Sequence, residues 1–146
     1  MSFLKKIFFL VLLINISFTK DNFYSTKYNF VNVRESPNFN SIVKFTYLKK
    51  NEPVKILYSF DNWRKIIDVD KNFGWIHVSL LSKKRYVIIC GKKNKKLYED
   101  INKKKIKAYI ESGNRCRLLI NKTKFLKISR GKYSGWITKS NLWGVE

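Results

Sequence analysis

Two stretches of this chain alternate apolar and polar residues, break at a short polar turn, and resume on a Gly-Trp pair. The first runs Trp63-Arg64-Lys65-Ile66-Ile67, turns through Asp70-Lys71-Asn72, and continues Phe73-Gly74-Trp75-Ile76-His77. The second runs Phe125-Leu126-Lys127-Ile128-Ser129, turns at Gly131, and continues Tyr133-Ser134-Gly135-Trp136-Ile137-Thr138. Period-two alternation around a tight turn predicts a β-hairpin, and its recurrence predicts two small β units. Similar tails follow the hairpins, Val78-Ser79-Leu80-Leu81 and Lys139-Ser140-Asn141-Leu142-Trp143.

The rest of the pattern supplies short strands. Phe30 to Arg34 alternates and stops at Ser36-Pro37-Asn38, a turn signal. Strands are expected at Ser41–Phe45 and Val54–Tyr58, which with the hairpin make five in a first unit spanning residues 24–82. Leu97-Tyr98, Ile106–Ile110, Arg117–Ile120, the Phe125 hairpin and the Leu142–Val145 tail make a second unit over residues 97–146. Between them, residues 83–96 read as a connection. Arg85 to Cys90 has strand composition and either finishes the first unit or bridges to the second, and Gly91 to Lys96 has the composition of a linker. Many short strands with polar turns point to barrels rather than a sandwich.

Residues 1–19 read as a secretory signal peptide. Lys5 and Lys6 precede the apolar run Ile7–Ile14, and Ser17 and Thr19 have the small-residue spacing of a cleavage site. The run is shorter than the roughly 20 apolar residues a bilayer span needs, so no stable membrane span is expected after cleavage. The mature chain is expected outside the cytoplasm, in the periplasm or cell envelope.

Composition changes this picture little. Thirty-one Lys and Arg against ten Asp and Glu give a net charge of +21 over 146 residues, mostly from lysine. Lys, Asn and Ile share A/T-rich codons, so part of that charge reflects composition. The basic runs around Lys92–Lys96 and Lys103–Lys107 would attract an anionic surface or polymer. Nucleic acid is not an expected partner of an exported chain.

The chemistry-bearing residues are sparse. Cys90 and Cys116 are too few for a disulfide scaffold. One histidine and two scattered cysteines make no metal site, and no cofactor is expected. Asp61, Asp68 and Asp70 cluster at turns, where Asp is favoured for turn chemistry, and no nucleophile–base pair accompanies them. No catalytic residue is assigned and the chain is read as a non-enzyme. Gly-Trp at a strand start reads as a packing device at Trp75 and Trp136. For Trp63, which follows a turn, a ring lining a groove and a ring packed in the core both stay open.

Taken in order, Val31-Asn32-Val33-Arg34-Glu35-Ser36-Pro37, Asp61-Asn62-Trp63-Arg64-Lys65-Ile66, Gly74-Trp75-Ile76-His77 and the closing Leu142-Trp143-Gly144-Val145 resemble the bacterial Src-homology-3 (SH3-like) domains of secreted proteins. The match is closest to a small alphaproteobacterial-type family with two such domains behind a signal peptide. The resemblance implies an all-β fold of two tandem SH3-like barrels. It implies a non-enzymatic envelope module that binds a cell-wall peptide or glycan, or an envelope protein, with ligand contact expected at Asn32, Arg34, Asp61, Trp63 and Arg64. An electrostatic adaptor for anionic surfaces and an accessory part of a wall hydrolase system are the alternatives. Such second domains often carry a cysteine on either side of the turn preceding the hairpin. The matching positions here are Asn121 and Leu126, and a bridge between Cys90 and Cys116 across the two domains is the remaining possibility.

Overall fold

A computed structural model describes residues 22–146; the expected signal peptide lies outside the described residues. The described chain is built from strands joined by turns and a single 3-10 turn at Val78–Leu80. Strands β1 (Phe23–Thr26), β2 (Val31–Arg34), β3 (Val43–Tyr47), β4 (Pro53–Phe60), β5 (Trp63–Ile67), β6 (Phe73–His77) and β7 (Leu81–Ser82) form one antiparallel sheet in the order β3-β2-β6-β5-β4-β1-β7. Strands β8 (Tyr86–Ile89), β9 (Lys95–Tyr98), β10 (Ile106–Ile110), β11 (Arg115–Asn121), β12 (Phe125–Arg130), β13 (Tyr133–Thr138) and β14 (Leu142–Trp143) form a second in the order β10-β9-β13-β12-β11-β8-β14. The two orders are the same arrangement, strand for strand, so the repeat seen in the hairpins extends through both units.

The register fixes which residues correspond. Ile66 lies opposite Gly74 and Ile128 opposite Gly135, while Arg34 lies opposite Trp75 and Tyr98 opposite Trp136. A Cβ on Gly74 would stand 2.5 Å from Val33 Cγ1, and one on Gly135 would stand 2.6 Å from Leu97 Cγ. Only a residue without Cβ lets the hairpin strand approach its neighbour this closely. Both units also carry a β-bulge before the end of this neighbour pairing, and the bulged lysine is used identically. Lys44 donates to the Phe73 carbonyl at 2.8 Å and Lys107 to the Ser134 carbonyl at 3.0 Å.

Each sheet surrounds its own apolar cluster. Val31, Val33, Val54, Ile66, Ile76 and Leu81 are buried in the first, and Val87, Ile89, Leu97, Cys116, Leu126, Ile128 and Ile137 in the second. A fully buried aliphatic side chain contributes about 1.5–3 kcal/mol, so these clusters carry the stability of two very small units.

Three sequence expectations are corrected. The connection expected over residues 83–96 is not a linker. Strand β8 pairs with β11 and β14 inside the second sheet, and Gly91 to Asn94 is the turn leading into β9. A continuous apolar run fits either sheet, which is why pattern alone left it open. The first unit has seven strands rather than five, since β1 and β7 close the sheet, with Ser25 and Thr26 both buried. The strand expected at Ser41–Phe45 begins two residues later, because Ser41 is spent on the preceding loop.

Candidate functional site

The end of the first unit gathers several residues singled out by sequence. Its organiser is the loop between β2 and β3. Arg34 reaches along this loop and donates from Nη1 to the Ser41 carbonyl at 2.8 Å, and the Ser36 amide donates to Ser41 Oγ at 2.8 Å. The Glu35 amide donates to the Ile42 carbonyl at 3.0 Å. So braced, the loop lays Phe39 against two rings, with centroids 4.9 Å from Trp63 and 5.1 Å from His77, while Trp63 and His77 lie 5.2 Å apart. These are edge and tilted contacts of the kind aromatic quadrupoles favour. The Arg34 guanidinium stands 6.0 Å from the Phe39 ring.

Trp63 is 7% exposed and Phe39 63% exposed, which decides between the two readings of the tryptophan. Trp63 is the floor of this cluster, and the ring a ligand would meet is Phe39. Phe60, exposed, pairs with Trp63 across the β4–β5 turn and extends the apolar rim. His77 joins at Nδ1, which accepts from the Ser79 amide at 3.3 Å and lies 2.7 Å from Ser79 Oγ. With Nδ1 accepting, the proton of the neutral ring sits on Nε2.

The other expected contact residues are placed differently. Arg64 folds back on its own turn and donates to the Asp61 and Trp63 carbonyls at 2.9 and 2.8 Å. Asp61 is exposed at the tip of that turn with φ 49°. Asn32 accepts from Thr46 Oγ1 at 2.8 Å and ties β2 to β3, away from the rings. The structure therefore brings Arg34 and Trp63 together through Phe39, pairs Asp61 with Arg64, and leaves Asn32 apart. Sequence reading missed Phe39, whose signal was an aromatic inside a Ser-Pro-Asn loop.

The remaining candidates are structural. Asp68 is buried and its carboxylate accepts from the Asp70 and Asn72 amides at 3.0 and 2.9 Å and from Tyr47 Oη at 3.0 Å. Burial, and then the Asp68 charge, push the Tyr47 hydroxyl far above its ordinary range. Both cysteines are free. Cys116 lies opposite Val87, three residues from Cys90, so the two are separated by about 10 Å along the strand, beyond the reach of a disulfide. The expected bridge across two domains fails for a second reason, since both cysteines belong to the second unit. Asn121 and Leu126, the positions that the resemblance matched to a cysteine pair, face each other in register across β11 and β12. Among the described residues no group of three or more His, Cys, Asp and Glu could hold a metal ion.

The two units meet in a defined joint. Glu52, 8% exposed, receives a bidentate fork from Arg115, Nε to Oε2 and Nη2 to Oε1, both at 2.7 Å. That fork, chiefly by hydrogen bonding, raises the Arg115 pKa. Trp143 donates from Nε1 to the Pro53 carbonyl at 3.1 Å and meets Phe23 edge-on at 5.2 Å. Ser25 Oγ donates to the Lys84 carbonyl at 2.7 Å, and Lys55 pairs with Glu146 at 2.6 Å.

Residues 27–83 match the bacterial SH3 domain family. No curated protein matches the chain. Among solved structures, NlpC2 from Trichomonas vaginalis aligns at 17% identity and a TM-score of 0.38, over 87% of this chain and 49% of that one. NlpC1 from the same organism aligns at 17% identity and a TM-score of 0.38, over 86% and 46%. An NlpC/P60 family protein from Bacillus cereus ATCC 10987 aligns at 11% identity and a TM-score of 0.36, over 84% and 57%. The chain thus spans about half the length of these structures.

Proposed function

Taking residues 27–83 as a bacterial SH3 domain, we propose that the protein is a non-catalytic binding module of the cell envelope that recognises a wall peptide or glycan, or an envelope protein, through the ring-lined end of its first unit. One observation carries this reading: Phe39 is held outward on Trp63 and His77 by a loop that Arg34 braces. An exposed aromatic that is already immobilised loses little freedom on binding, and it offers a flat apolar face to a sugar ring or a peptide. Export to the periplasm or envelope belongs to the same proposal. No helix among the described residues is long and apolar enough to cross a membrane.

The test is retention of the purified protein on isolated peptidoglycan at low and at physiological salt. Phe39→Ala is expected to lose retention about tenfold while melting like the parent, since its ring is mostly exposed. Trp63→Ala is expected to fall in stability by about 3–5 kcal/mol, the cost of truncating a buried aromatic. Unchanged retention of Phe39→Ala would remove the ring from the binding surface.

A second reading rests on charge. From Lys83 onward the chain holds nineteen Lys and Arg against four Asp and Glu, a net +15. If retention on the wall vanishes near physiological salt for parent and Phe39→Ala alike, attraction to an anionic polymer replaces the groove as the basis of binding.

A further inference from the structure

The matching registers allow the two units to be compared residue by residue, and at one place they differ in kind. In the first unit the hairpin β2–β3 is filled by Phe45, opposite Val33, and by Tyr47, whose rings meet edge-on at 5.3 Å. Tyr47 is then locked by its bond to Asp68, two residues beyond Ile66. In the second unit the corresponding residues are Ala108, opposite Leu97, Ile110, and Arg130, two residues beyond Ile128. Two aromatic rings have become a methyl and a short aliphatic chain, and an acid has become a guanidinium. The volume stays open as a trough of about 350 Å³ floored by Leu97, Ala108 and Ile128. Tyr109 and Tyr133, 60% and 57% exposed, stand along it.

Arg130 and Asn114 line this trough and also a larger cleft of about 650 Å³ that opens between the units. The charges within that cleft are unequally committed. Arg115 is held by Glu52 and by the Gly113 carbonyl at 2.7 Å, and the Asp68 carboxylate is held by its own turn and Tyr47. The Arg130 guanidinium makes no hydrogen bond or ion pair among the described residues, and neither does the Asp70 carboxylate on the facing lip. Glu111 adds an exposed acid in the trough wall, and Lys49 adds a cation in the lining of the larger cleft.

We propose that this trough is a second binding site, taking the C-terminal residue of a peptide. An apolar side chain enters between Tyr109 and Tyr133, and the free carboxylate is received by Arg130. Arg is suited to this task because its planar fork matches a carboxylate. The preceding residues lead past Glu111 in the trough wall into the inter-unit cleft, where Asp70 stands, and these two acids favour an amine-bearing side chain on the ligand. The site is separate from the Phe39 surface, and the two proposals stand or fall apart.

The probe is the tripeptide Lys-Ala-Leu, titrated into full-length protein by amide-shift mapping beside its C-terminal amide. The free acid is expected to bind at least tenfold more tightly than the amide and to move resonances of Ala108, Ile110 and Arg130. Arg130→Gln, an exposed change, should erase that preference, whereas Phe39→Ala should leave it intact. Ala108→Phe refills the trough as Phe45 fills its counterpart, and should abolish binding while the melting temperature is kept. Should Ala108→Phe fail to fold, Arg130→Gln alone decides. Equal binding of acid and amide, or an Arg130→Gln protein that still distinguishes them, would overturn the site.

Discussion

Cys116 occupies in the second unit the place that Val54 holds in the first, each lying opposite the second residue of the unit's first strand. The exchange is one small apolar group for another, and the thiol behaves accordingly. Burial pushes its pKa up to about 11, and burial also raises that of Cys90. The nucleophile is the thiolate, so neither group should react readily in the folded protein. At pH 8, a thiol-specific disulfide reagent is expected to modify Cys116 no faster than the second unit unfolds. Rapid modification of Cys116 in native buffer would contradict this burial. The same shift has a stability consequence. Between about pH 9 and 11 the unfolded chain releases a proton that the folded chain keeps, so stability should fall as pH rises through that window. Residue by residue, the sequence conveyed the turn role of Asp68 and Asp70 but not the burial of Trp63. A tryptophan after a turn has no periodic partner to show which way it faces, and the ring that covers it comes from a loop 24 positions earlier.

Among the strands, the glycines of the two Gly-Trp pairs have no room for a side chain. Besides the side-chain contacts, an added methyl would lie 2.9 Å from the Arg34 carbonyl oxygen at Gly74 and 2.7 Å from the Tyr98 carbonyl oxygen at Gly135. Backbone cannot swing aside as a side chain can, so the strands must separate. Gly74→Ala and Gly135→Ala are each expected to destabilise their own unit by about 2–3 kcal/mol, as overpacked sites do. Urea unfolding should show two transitions, of which only the mutated unit's moves. The hairpins around these glycines were legible because alternation, turn and glycine all pointed the same way. Strand β1 was not, since Ser25 and Thr26 are buried polar residues whose hydroxyls serve the Lys84 and Lys49 carbonyls. A buried hydroxyl looks like a surface residue until its partner is known. The trough was illegible for a different reason, since Ala108 departs from nothing until it is set beside Phe45.

For the whole molecule, the joint between the units combines the Glu52–Arg115 fork and Trp143 with the Ser25–Lys84 hydrogen bond and the Lys55–Glu146 pair. Arg115→Ala would leave the largely buried Glu52 carboxylate without its fork, a loss of about 1–3 kcal/mol because the Arg115 side of the pair is open to solvent. The expected outcome is a protein whose units still fold but tumble more independently in NMR relaxation. Replacing Glu52 and Arg115 together by leucine should recover much of the stability, because the cost lies in the stranded charge. If the single variant tumbles as one body and melts unchanged, the fork does not hold the joint. The sequence announced two units, yet it gave no sign that they dock. Glu52 and Trp143 lie 91 positions apart with Arg115 between them, and each has an ordinary place within its own unit.

The four tryptophans are spread over this architecture in a way that makes the protein its own optical instrument. Trp63 lies beneath Phe39, Trp75 and Trp136 stand opposite Lys65 and Lys127 on their sheets, and Trp143 sits in the joint with the Lys71 ammonium 5.2 Å from its ring. Indole emission shifts to longer wavelength as the ring gains water. A chain reduced to one tryptophan at a time would therefore report separately on the ring-lined end, on each unit, and on the seam between them. In the variant keeping only Trp143, a red shift that precedes loss of strand circular dichroism would time the parting of the units before either one melts.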